Sequence, residues 1–316
     1  MSGETQSRLQ LDLWLRCLEK DYLGSFIPAG GATVKLAVVP KDFYSRLYKS
    51  LREKLSLPSF RLFDLSEERI NLHSIENFWF ALAQRVDWES FARELRYSIL
   101  KKIGYLPSSE LQDCTLEELA ELYQVEAREI NIQFQREIKK LIFQDYSLAL
   151  DFRKAISRLI YEPLQSPGTL EGLCLAVQEW LKGTLKSISQ VRGAAIFRRI
   201  DRTNSREILL SFLRLFTRQL GCTAILVSLF HYYERRENGR PIFTRRQIIE
   251  LYETLREFID AESKLEKTVL IFMAPPDFIE SELLSYHKYR ALQTRIENEV
   301  YSPNYPNPCT TMVQLQ

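Results

Sequence analysis

The side chains able to do chemistry gather in three places. Arg235, Arg236, Arg240, Arg245 and Arg246 crowd one loop, with Tyr232, Tyr233 and Phe243 among them. Guanidinium forks beside aromatic rings suit phosphate or single-stranded nucleic acid. Glu234 and Glu237 dilute that charge, so a solvated basic loop is the competing reading. A second polar group, Asp201, Arg202, Asn204 and Arg206, stands just ahead of an amphipathic run. As a helix start it needs only Asn204 or Ser205 as N-cap, with the other charges solvated. As a functional group it would present arginines to phosphate or DNA. The third place pairs Lys41, just after an apolar run, with His231, at the end of another. With no other His or Cys near it in sequence, His231 reads as a ring packed among Tyr232 and Tyr233 rather than a catalytic or metal-binding one. His73 and His287 are equally isolated.

Those residues need a scaffold. Thr223–Phe230 and Thr268–Ala274 are short apolar runs rich in strand formers, the pattern of central strands in a parallel sheet. Between them Thr244–Ile259 carries a helical stripe of Ile248, Leu251, Tyr252, Leu255 and Ile259. The first third repeats the motif: strand Thr33–Val39, helix Lys41–Leu55, strand Phe60–Leu65, preceded by a helix over Ser7–Leu23 that ends near Gly24. The spacing predicts an α/β fold, a parallel sheet flanked by helices. The loop carrying the arginines then leaves the carboxyl end of a strand, where such sheets place their sites.

From Ile75 to Lys186 helical periodicity takes over: 78–86, 91–103, 115–123, 128–143, 147–161 and 170–181. Thr115-Leu-Glu-Glu118 has the form of a capping box. The clearest loop is at Pro163, Pro167 and Gly168, and Gly183 ends the last helix. Three segments follow: 1–74, the first part of the α/β core; 75–186, a helical insertion or lid; and 187–316, the second part of the core. That last part contains the helix Ser205–Leu220, closed by Gly221, a helix over Ser285–Val300 and a proline-rich tail that cannot be helical.

Composition narrows the function classes. Hydrophobic residues are 45% and charged residues 27%, ordinary for a globular chain. A net charge of +2 gives no bulk electrostatic case for nucleic acid, though a local patch can still supply one. No apolar run approaches the ~20 residues of a membrane helix. Met1–Ser7 lacks the basic and apolar regions of a signal peptide. The five cysteines, without a C-x-x-C pair, read as reduced thiols in the cytoplasm rather than a zinc site. No nucleophile–base pair and no dinucleotide glycine pattern appears.

Three stretches together resemble a known family. They are Phe26-Ile-Pro-Ala-Gly-Gly-Ala-Thr-Val-Lys-Leu36; Phe197-Arg-Arg-Ile-Asp-Arg-Thr-Asn-Ser-Arg206 with Leu220-Gly221; and Thr244–Asp260 followed by Ala274-Pro-Pro-Asp-Phe278, Tyr289-Arg-Ala-Leu292 and Arg295–Val300. The set resembles the P-loop ATP-binding proteins of BREX-type phage-defence clusters, relatives of the AAA+ ATPases. It spans most of the chain and is weakest through the helical middle. The resemblance implies an AAA+-like P-loop NTPase sheet and an active ATPase homologue or helicase as partner. It also implies that the Asp201–Arg206 group could reach a neighbouring subunit's nucleotide.

The departures from that family decide the expectation. Its first strand leads into a Gly-rich loop ending in Gly-Lys-Thr or Gly-Lys-Ser. Here Val39, Pro40, Lys41 and Ser45 occupy that stretch, and no glycine lies between Gly31 and Gly104. A phosphate cradle turns backbone amides inward, usually with glycines at positive φ. The family's Asp-Glu pair is replaced by Phe230 and His231. The expectation is a pseudo-ATPase without nucleotide or magnesium. It would scaffold or regulate an active partner in anti-phage defence. An ATP-binding protein with a rearranged loop and a DNA-binding accessory protein are the alternatives.

Overall fold

Four strands form where the apolar runs predict them: β1 Ala32–Val38, β2 Phe60–Asp64, β3 Cys222–Ser228 and β4 Thr268–Ala274. A fifth, β5 Met312–Gln314, joins them from the tail. The computed structural model describes residues 8–67, 69–106, 114–165, 172–297 and 307–316. Met1–Ser7, the Pro167–Gly168 loop, the last residues of the helix expected to reach Val300 and residues 302–306 of the tail lie outside them.

The five-stranded sheet is parallel throughout, in the order β2-β3-β4-β1-β5. Every residue of β1, β3 and β4 is buried, as expected for strands covered on both faces. β5 pairs with β1 in the register Leu36↔Met312 to Val38↔Gln314. Leu36 donates its amide to Thr311 O at 2.7 Å, and Leu315 donates to Val38 O at 2.8 Å. Leu9 covers the outer side of β5, donating to Gln314 O at 2.8 Å and accepting from Gln316 N at 3.1 Å.

The helices, in chain order, are α1 Leu11–Cys17, α2 Lys41–Leu55, α3 Ile75–Arg85, α4 Trp88–Ile103, α5 Leu116–Tyr123, α6 Ala127–Ile138, α7 Leu150–Gln165, α8 Leu173–Lys182, α9 Ser205–Leu220, α10 Arg245–Ala261, α11 Asp277–Glu280 and α12 Arg290–Glu297. One sheet face, with Ala37, Ala224, Leu226, Ile271 and Met273, packs on Trp14 and Leu15 of α1 and on Leu47 and Leu51 of α2. On the other face Phe258 of α10 meets Phe272 at 5.6 Å, and Phe216 of α9 meets Phe63 at 5.4 Å.

Four local expectations are corrected. Pro163, expected in the loop with Pro167 and Gly168, lies inside α7 instead. The first helix does not stop at Gly24 but continues as a π-helical stretch, Leu18–Phe26. The helix expected over Ser285–Val300 is broken at Tyr289, which is extended (φ −119°, ψ 90°) between a 3-10 turn and α12. The third strand ends at Ser228, so Phe230 and His231 sit in a 3-10 turn, Phe230–Tyr233, rather than at a strand tip.

The chain divides into two compact units, Met1–Phe78 with Phe216–Gln316, and Trp79–Leu215. The first holds the sheet. The second is helical and runs further than the 75–186 insertion, to within α9. Its core stacks Trp79, Trp88 and Phe91 around Phe212, with ring centroids 5.4–5.9 Å from Phe212. The Thr115 capping box forms: Thr115 Oγ1 accepts from Glu118 N at 3.0 Å, and Glu118 Oε2 accepts from Thr115 N at 2.8 Å. Gly183 ends α8 at φ 74°, where a Cβ would meet the Phe80 ring at 2.6 Å.

Candidate functional site

In an open parallel sheet, ligands bind outside the carboxyl ends of the strands, where the connections leave in opposite directions. Here the chain leaves β1 towards β2 at one edge and leaves β4 towards β5 at the other. β1 and β4 are neighbours, so their carboxyl ends mark the place to search.

Only Val39 and Pro40 separate β1 from α2. Val39 is fully buried and donates its amide to Ala274 O at 2.9 Å, stitching the ends of β1 and β4 together. Pro40 has no amide, and its carbonyl accepts from Phe43 N at 3.0 Å. The strand passes directly into helix with no loop to wrap an anion. Lys41 and Ser45 are exposed on α2. Gly30 and Gly31 lie at the opposite, amino end of β1, in a turn closed by Gly31 N to Phe26 O at 2.9 Å. They shape an entry turn and contribute nothing to the carboxyl edge.

Phe230 is brought against α2, its ring 4.6 Å from Tyr44, which stacks on Tyr48 at 6.1 Å. An aromatic cluster therefore occupies the edge between α2 and the turn that follows β3. The acids on this edge come from β2. Tyr48 Oη lies 2.7 Å from Asp64 Oδ2 and 3.0 Å from Glu67 Oε1, its one proton shared between the two acceptors. Asp64 also accepts from the Ser66 amide at 3.0 Å. Burial, and then these two carboxylates, push the Tyr48 phenol up to about 12. The joint between β1 and α2 is a poor fit for a triphosphate with its magnesium: Val39 N is taken by Ala274 O, Pro40 has no amide, and Asp64 and Glu67 both face the Tyr48 hydroxyl. Sequence reading passed over Asp64, whose only signal was an acidic residue closing an alternating run.

His231 is buried (7% exposed), and its Nε2 donates to Ile70 O at 3.1 Å. Its ring lies 4.3 Å from Tyr232 and 5.9 Å from Phe243. The packed reading describes it. Tyr233 and Tyr252 share a hydroxyl bond of 2.8 Å, and burial raises both phenols.

The arginine loop is a short hairpin. Arg235 bridges Pro241 in antiparallel fashion, and Arg236 donates its amide to Arg240 O at 2.8 Å. Arg235 reaches Asp277, just after β4, at 3.9 Å, and Arg246 pairs with Glu250 at 3.3 Å. Arg236, Arg240 and Arg245 are exposed. The hairpin thus stands beside the searched crevice with much of its charge facing solvent.

The Asp201–Arg206 group belongs to the helical unit, whereas the arginine hairpin belongs to the sheet unit. Asp201 accepts from Thr203 Oγ1 at 2.6 Å and from its amide at 2.8 Å, which hold its carboxyl below the usual range. Asn204 accepts from Asp201 N at 2.8 Å and donates to Arg199 O at 3.0 Å. These bonds build the turn that starts α9. Arg202 is exposed, and Arg206 has a buried Nε without a hydrogen-bond partner.

No protein-family model, curated protein or solved structure matches the chain. No helix among the described residues is long and apolar enough to cross a membrane.

His231 makes the site's pH response testable. Burial pulls its imidazole below the ordinary 6.5, against smaller opposing effects of the Ile70 bond and Glu234; Arg69 and His73 add to the lowering. Its contribution is complete above about 6.5 and is lost as pH falls, because the unfolded chain takes up a proton that the folded ring resists. The stability gap between wild type and His231→Gln is expected to shrink between about pH 8 and about pH 5, measured by urea unfolding. A gap constant across that range would show that His231 titrates alike in both states.

Proposed function

We propose that this chain is a non-hydrolysing relative of the P-loop ATPases, a pseudo-ATPase. Its role is to scaffold or regulate an active ATPase or helicase partner in bacterial phage defence. The observation that carries the reading is the joint between β1 and α2. A phosphate loop needs several free inward amides, but here Val39 donates to Ala274 O and Pro40 has none. The parallel sheet with β1 beside β4, and the resemblance of the three sequence stretches, support the wider P-loop assignment. The phage-defence context rests on that resemblance alone.

In this reading the arginine hairpin is the surface offered to the partner, its guanidinium groups placed to meet phosphate. Purified chain is expected to show no ATP turnover. ATP with magnesium is expected to leave its melting temperature unchanged, since only a ligand that binds the folded state raises apparent stability. Turnover lost on Lys41→Ala would overturn the proposal. Nucleotide-dependent stabilisation without turnover would favour an ATP-binding protein with a rearranged loop. DNA binding that is steep in salt and lost when Arg235, Arg236, Arg245 and Arg246 become alanine would make the chain a DNA-binding accessory protein instead.

A further inference from the structure

The helical unit holds a cleft of about 570 Å3 between α6 with its π-helical continuation Lys139–Phe143, α7 and the 3-10 turn Ile188–Ala194. That volume lies in the range that accommodates a small molecule. Ile138 and Phe143 give it an apolar lining. The charged side chains lining it, Lys139, Lys154 and Arg158, are all cationic.

Several independent features converge there. Lys139–Phe143 ends α6 as a π-helical turn, which brings Lys139 and Phe143 to the same lining. Ala195, also in the lining, has φ 56°, a left-handed conformation uncommon without glycine and frequent at ligand sites. Ser157 lines the cleft and is 7% exposed. Lys154 is held in place by donating to Ala195 O at 2.7 Å, with Asp151 at 3.4 Å. Arg158 donates to Gly193 O at 3.2 Å and pairs with Glu162 at 3.0 Å. Lys139 is exposed and has no carboxylate partner among the described residues.

We infer that this cleft binds a small amphipathic anion: an aromatic or short acyl body carrying one oxyanion group. The body lies on Ile138 and Phe143, and Lys139 and Arg158 meet the charge. The inference is independent of the pseudo-ATPase reading, because it uses no residue of the sheet unit.

The test uses the full chain and 8-anilinonaphthalene-1-sulfonate, an aromatic anion whose fluorescence rises in apolar sites. The dye is expected to saturate one site per chain. Lys139→Glu is expected to weaken it by about tenfold, the effect of reversing one nearby partly exposed charge. Ser157→Phe, which places a ring in the lining, is expected to abolish binding, with circular dichroism melting as the check on folding. Octanoate is expected to displace the dye, whereas octanol at equal concentration does not. Dye binding unchanged by Lys139→Glu, or octanol displacing as well as octanoate, would overturn the inference. Those two arms decide it alone if Ser157→Phe does not fold.

Discussion

Removal of Asn307–Gln316 is expected to abolish cooperative unfolding of the sheet unit, or to lower its stability by about 5 kcal/mol or more. The segment is short, but it closes the sheet. Met312, Val313 and Leu315 are 7%, 4% and 1% exposed. Each buried side chain of that size contributes roughly 1.5–3 kcal/mol. Without β5, the fully buried strand β1 becomes an edge with unpaired amides and carbonyls, open to pairing with other chains. Leu9 loses both bonds that tie it to the tail, to Gln314 O and from Gln316 N. Urea unfolding followed by circular dichroism, with light scattering for aggregation, measures the effect. Val313→Asp in the full-length chain is expected to reproduce most of the loss by placing a charge in a buried position. A truncated chain that unfolds within about 0.5 kcal/mol of the full one would show that β5 is peripheral.

Lys35→Met is expected to cost about 2–4 kcal/mol, although methionine matches the lysine stem in length. Lys35 lies mid-strand in β1 at 2% exposure. Its Nζ donates to Tyr22 Oη at 2.9 Å, to Thr310 O at 3.0 Å and to Cys309 O, and sits 4.4 Å from the Tyr22 ring centroid. Replacing a buried ion by an apolar group is often neutral when both partners are replaced together. Here the acceptors are largely backbone carbonyls, which no substitution removes. Methionine would leave the Thr310 carbonyl short of a donor and the Cys309 carbonyl with Tyr22 Oη alone, while gaining little burial. Equilibrium urea unfolding of wild type and variant, at matched pH and salt, gives the difference. A neutral or stabilising result would mean that water or a side-chain shift satisfies those carbonyls, and that the ammonium does not anchor the tail.

Local chemistry was readable along the chain. The helices over Lys41–Leu55 and Ser205–Leu220 and the strand Thr268–Ala274 form with the bounds their periodicity predicts. The capping box at Thr115 arises within a single turn. The short joint between the strand and the helix at Val39 and Pro40 was equally legible from the proline and the apolar run before it. His231 was read as a packed ring from its isolation in sequence, and its burial describes it so.

What the sequence could not supply was pairing across distance. The three residues of β5 are too few for an alternating signal, and only their approach to β1, 276 positions earlier, makes them a strand. Lys35 looked like an ordinary polar residue in an apolar run until residues 309 and 310 met its ammonium. Tyr48 gained Asp64 and Glu67, and the helical unit gained its cationic cleft, in the same way. Turn geometry and helix periodicity are properties of neighbouring residues, so composition and spacing determined them for this protein. Strand order, the partners of buried charges and the shape of a cleft depend on which distant surfaces touch, and the tertiary structure alone decided them.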